Sequence, residues 1–123
     1  MEIKEKKCLC GEGGYVVLSC SGASDLGEIS DIIARKLSKN GVRKMSCLAV
    51  VGTDIKTSIN NFKQKNLLVI DGCPIDCGKR MMKDHQIENY IHLRLTDLGF
   101  EKGKTPVSDE TVKTIYEQAE LLY

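Results

Sequence analysis

The chain has 123 residues, enough for one hydrophobic core and most simply one domain. Hydrophobic residues make up 41% and charged residues 28%, the balance of a soluble globular protein and not of a disordered chain. With 18 basic and 17 acidic side chains the formal net charge is +1, which argues against a dedicated nucleic-acid or anionic-membrane surface.

The start, Met1-Glu2-Ile3-Lys4-Glu5-Lys6-Lys7, lacks the apolar centre of a signal peptide. No apolar stretch approaches the roughly 18 residues that span a bilayer. The expected location is therefore the cytoplasm, with neither membrane nor nucleic acid as partner. Residues 1–14, charged and then Gly-rich around Cys8 and Cys10, read as a flexible segment ahead of one domain over residues 15–123. Gly11, Gly13 and Gly14 precede a strand instead of following one, so they are no dinucleotide fingerprint.

The run from Tyr15 to Cys20 predicts a buried strand, broken by Ser21-Gly22-Ala23-Ser24. Leu26, Ile29, Ile32, Ile33 and Leu37 recur at helical spacing, with Ser24 or Asp25 as the cap and Asn40-Gly41 as the stop. Met45 to Val51 predicts a second strand, ending at Gly52-Thr53-Asp54. Ile55 to Lys65 is mostly polar, and Ile55, Ile59 and Phe62 mark one narrow helical stripe. A third strand, Leu67-Leu68-Val69-Ile70, runs straight into Asp71-Gly72-Cys73-Pro74-Ile75-Asp76-Cys77. Pro is favoured at the first helical position, so the pattern predicts a helix from Pro74 to His85 with Cys73 as N-cap. Cys77 then lies one turn on, on the same face. Tyr90 to Leu95 alternates as an edge-like fourth strand, Thr96 to Thr105 forms a loop, and a last helix starts at Ser108. Its apolar face is Val112, Ile115, Tyr116, Ala119 and Leu122. Strands alternating with helices predict a small doubly wound, Rossmann-like α/β domain: three layers around a four-stranded, mainly parallel sheet.

Six cysteines in a reducing compartment point to metal binding or thiol chemistry and not to a disulfide framework. Binding sites in open parallel sheets form outside the carboxyl ends of the strands. Cys20 ends the first strand, Cys73 lies just past the third and Cys77 opens the following helix. Cys47 reaches the same edge if its strand is short. Four thiolates in tetrahedral geometry suit zinc, with Zn–S near ~2.3 Å. Two alternatives use the same thiols. A thiolate at a helix N-terminus is poised for redox or sulfur-transfer chemistry through Cys73 and Cys77. Cys followed by Pro also occurs in iron–sulfur cluster loops. The expected partners are a metal ion and either a protein or a small thiol or sulfur species.

Each candidate has a plainer reading beside the sharp one. C-x₃-C lacks the paired C-x₂-C spacing of zinc ribbons, and free cysteines often only pack, Cys47 above all. Cys8 and Cys10 are either incidental or a reaching arm. His92 reads as a half-buried structural histidine, with metal ligation the sharper idea. Asp97 reads as a turn or cap residue before an acceptor behind the ligands or a general base, and Asp71 as a local turn or an orienting group for Cys73 or its neighbours. His85 fits a cation at a helix C-terminus. Lys102 and Lys104 are solvated charges by default, an anion clamp otherwise. Beyond the cysteines there is no catalytic constellation.

Four segments together resemble one family. Asp71-Gly72-Cys73-Pro74-Ile75-Asp76-Cys77 is similar to the signature of the DGC-domain family. The segment from Cys20 to Glu28 resembles its first cysteine loop, Cys47-Leu48-Ala49 its second, and His92 to Gly103 its closing segment. The resemblance covers about residues 15–108. It implies zinc binding through four cysteines, Cys20, Cys47, Cys73 and Cys77. Val50-Val51-Gly52-Thr53 departs from the pattern, since similar proteins carry more glycine there.

Overall fold

The two central strands are buried on both sides because both faces of the sheet are covered. In the computed structural model, which describes residues 14–122, β1 (Tyr15–Ser19), β2 (Lys44–Ser46), β3 (Asn66–Asp71) and β4 (Tyr90–Arg94) form one sheet. Its order is β2-β1-β3-β4 and all three pairings are parallel. Successive side chains of a strand alternate between faces, and the core splits accordingly. Val17, Leu68, Ile70 and Leu93 face α1 (Asp25–Lys39) and α5 (Asp109–Ala119). Val16, Leu18, Leu67 and Val69 face α2 (Ala49–Gly52), α3 (Lys56–Phe62) and α4 (Cys77–Asp84). The result is the expected three-layer, Rossmann-like α/β architecture, here with a wholly parallel sheet. A 3₁₀ turn, Leu95–Leu98, follows β4. The flexible segment expected over residues 1–14, with Cys8 and Cys10, lies outside the described residues except for Gly14.

The helix caps follow local chemistry. Ser24 caps α1 by accepting from the Gly27 N–H at 3.1 Å, and Ser108 caps α5 by accepting from the Thr111 N–H at 3.2 Å. Asn40 closes α1, and Gly41 takes a left-handed φ of 74° beyond it. Asp25 pins the loop after β4: its carboxylate accepts from the Gly103 and Thr105 N–H groups at 2.9 and 3.0 Å. Those two bonds hold its carboxyl below the usual carboxylate range.

Two predicted elements change. The second strand ends at Ser46, not Val51, and Ala49–Gly52 is a helical turn. The reason lies in the partner. β1 stops at Ser19 and pairs β2 only over Val16 to Leu18, so the later backbone groups have no ladder to join. They close on themselves instead, Val50 N–H to Cys47 O and Val51 N–H to Leu48 O, which buries Leu48 and Val51 together. The helix expected from Pro74 to His85 begins only at Cys77, with Asp76 as its N-cap in place of Cys73. Asp76 has a φ of 57°, a left-handed conformation that interrupts helical winding. Residues 73–76 form a turn closed by Asp76 N–H to Cys73 O at 3.1 Å. The helix over Ile55 to Lys65 is likewise shorter, and Ile55 is exposed while Ile59 and Phe62 are buried.

Candidate functional site

A parallel sheet delivers every βα connection to one edge, and the strand order reverses between β1 and β3. Cys20 leaves β1 at that point. Its N–H donates to Ile70 O at 2.9 Å, which carries the β1–β3 ladder one residue beyond the strand. Cys77 starts α4 behind β3, and its thiol stands beside that of Cys20 in the same hollow. Because β2 is short, Cys47 falls past its end and is exposed at the same edge. Cys20, Cys47 and Cys77 thus line one hollow of about 550 Å³, walled by Met45, Leu48 and Met81.

Cys73 stands apart. It lies in the 73–76 turn and lines a neighbouring hollow with Pro74, Thr96, Phe100 and Lys102. The pair expected on one helical face, Cys73 and Cys77, is therefore divided by the turn, and Cys77 meets Cys20 instead. Burial pushes the Cys20 thiol up, and the neighbouring Cys77 and Asp71 add to that against a lowering hydrogen bond from the Gly22 backbone.

An ion-pair network fixes the turn that presents Cys77. Asp71 is 1% exposed, and its carboxylate accepts from Gly78 N–H at 2.8 Å and Lys79 N–H at 3.1 Å. A residue at the end of β3 thereby satisfies the free donors at the start of α4. The orienting role expected of Asp71 thus falls on Gly78 and Lys79 and not on Cys73 itself. The close approach needs Gly78: a Cβ there would lie 2.7 Å from Val69 Cγ1 and 3.1 Å from Asp71 Oδ1. His92 Nε2–H donates to Asp71 Oδ2 at 2.8 Å, a structural role for a largely buried ring. Arg94 reaches Asp76 through Nε and Nη2, a bidentate pair that holds the left-handed residue in place. Its hydrogen bonds hold the Asp76 carboxyl below the usual carboxylate range and push Arg94 up.

Among the described residues, ligand atoms of Asp71, Asp76 and His92 lie within 4.8 Å of one another, and the cysteines form no such group. Each member of the Asp71–Asp76–His92 trio is engaged: Asp71 by two N–H groups and His92, Asp76 by Arg94. The trio braces the turn. Asp97 takes the second side of Arg94 at 3.2 Å, and His85 is the C-cap of α4, beside Asp54 at 3.5 Å. Sequence reasoning passed over Asp76 and Arg94. The alternation of β4 carried a signal, because it puts Arg94 on the same face as His92.

Fold and site together define an α/β domain with thiols gathered at the carboxyl edge of a parallel sheet. The model of the DGC domain matches residues 16–119, and the chain belongs to that family. It is similar to the anaerobic and virulence modulator AnvM of Pseudomonas aeruginosa, with 31% identity over 88 residues, 71% of this chain and 67% of the relative. No solved structure matches the chain. Among the described residues, no helix is long and apolar enough to cross a membrane.

Proposed function

We propose that this protein binds zinc through the cysteines at the carboxyl edge of its sheet. Cys20, Cys47 and Cys77 form the gathered part of the site, and Cys73 is the fourth thiol. The observation that carries this reading is that three thiols from three separate βα connections line one hollow. The donor set fits the ion, since thiolate sulfur is a favoured zinc ligand in structural sites. Asp71, Arg94 and Asp76 hold the Cys77 turn, as outer partners hold ligands elsewhere.

Elemental analysis of the purified protein and its serine variants tests this. Near-stoichiometric zinc is expected in the wild type, a loss in Cys20→Ser, Cys47→Ser and Cys77→Ser, and weaker retention in Cys73→Ser. Zinc retained in a Cys20→Ser/Cys77→Ser double variant sinks the reading. A coloured, iron-containing protein from anaerobic purification replaces it with a cluster.

A further inference from the structure

We infer that Cys20 and Cys77 are a reversible modification site: a hydroperoxide oxidises them to a disulfide, and that cross-link expels the metal ion. The expulsion rests on the zinc reading above, whereas the cross-link does not. The two thiols come from opposite sides of the strand-order reversal and stand side by side in one hollow. A disulfide needs sulfurs brought to about 2.05 Å with a suitable torsion, which side-chain rotation approaches from such a placement. Cys73 has no comparable placement, because it lines the other hollow.

Exposure assigns the order of events. Cys77 is exposed at the start of α4 and is the sulfur a peroxide meets first, while Cys20 is half-buried beneath it. The Cys77 thiolate attacks the distal peroxide oxygen, the O–O bond breaks, and the alkoxide leaves with a proton as an alcohol, or as water from hydrogen peroxide. Cys77 is then a sulfenic acid. The Cys20 sulfur attacks the Cys77 sulfur, the S–S bond forms and the S–OH bond breaks. Hydroxide leaves as water with the Cys20 proton. Two thiols have lost two electrons and two protons, and the hydroperoxide has gained them. Both sulfurs are then withdrawn from metal binding, since the thiolate is the ligand.

Hydrogen peroxide at one equivalent, added to the full-length, reduced, metal-free protein, tests the site by thiol counting and peptide mapping. The expected result is loss of two thiols per chain and a Cys20–Cys77 cross-linked peptide in wild type, Cys47→Ser and Cys73→Ser, reversed by dithiothreitol. In Cys20→Ser, Cys77 is expected to remain uncrosslinked. A dominant cross-link between any other pair, Cys47 or the terminal Cys8 and Cys10 included, overturns the inference, as does sulfinic acid at Cys77 without a cross-link. In a zinc-loaded arm, release of the ion is expected to track cross-link formation. Release without the cross-link also overturns the inference. A protein that never takes up zinc sinks the zinc reading, while the cross-link in metal-free protein still stands or falls by itself.

Discussion

At the amino edge of the sheet, Arg43 is 1% exposed, and its guanidinium donates to the carbonyls of Val16, Asn66 and Leu122 at 2.9 to 3.1 Å. Its plane also lies 5.3 Å from the Tyr15 ring centroid, a cation–π contact. This clamp ties the starts of β1 and β3 to the C-terminal end of the described chain through backbone carbonyls. At the carboxyl edge the polar groups are aimed differently. Asp71 and Arg94 hold a turn and a helix start, and what that machinery presents is a reactive side chain, Cys77. Buried polar residues at one end therefore secure the fold, and at the other they position chemistry.

The largest test of that contrast is Arg43→Met. Removing the guanidinium strands buried carbonyl oxygens, and a loss of about 3 kcal/mol or more is expected in urea unfolding. The zinc content of the folded fraction is expected to stay unchanged. A loss of zinc would break the comparison.

Asp71→Asn tests the other end. It removes the carboxylate that caps α4, with an expected cost of about 1–3 kcal/mol. Zinc affinity is expected to fall about 10–100-fold, as for other outer partners of metal ligands, measured by competition with a chromophoric chelator. Unchanged affinity would show that the turn holds Cys77 without Asp71. Gly78→Ala sharpens the same point sterically. The added methyl meets Val69 and crowds the Asp71 carboxylate, so a comparable loss of about 1–3 kcal/mol is expected by thermal unfolding.

The smallest effect belongs to Arg94→Gln, at about 1 kcal/mol near neutral pH for a partly exposed pair. Its signature is the pH dependence. The folded Asp76 carboxyl lies below its unfolded value, so its contribution is complete above the unfolded value of about 4 and is lost as pH falls through the folded one. Urea midpoints of the wild type are expected to drop across that acid window, and those of Arg94→Gln to drop less. Equal slopes would mean that Arg94 does not set the Asp76 carboxyl.

Much of the fold was legible because burial imposes period. The runs at Val16 to Leu18 and Leu67 to Ile70 are apolar on both faces, and Leu26, Ile29, Ile33 and Leu37 repeat with helical spacing, so layers and direction followed. The cysteines were legible as an edge, since Cys20 and Cys77 stand where strands end. The length of β2 was not legible: Cys47-Leu48-Ala49-Val50-Val51 reads as strand in isolation, and only the early end of β1 leaves it unpaired. The division of Cys73 from Cys77 was equally hidden. Pro74 favours a helix start locally, but a left-handed Asp76 held by Arg94 from β4 delays it.

By itself, then, the sequence determined an α/β domain with a parallel sheet, its capping residues Ser24 and Ser108, and the set of thiols from which any site at the edge must be drawn. Those follow from periodicity and from hydrogen-bonding groups within a few residues of one another. Tertiary structure alone decided which thiols meet. Cys20 shares a hollow with Cys77, and Asp71 reaches Gly78 and His92, through strand order and register, and those placements join residues far apart in the chain. No local pattern encodes such distances, because the packing of the whole sheet sets them.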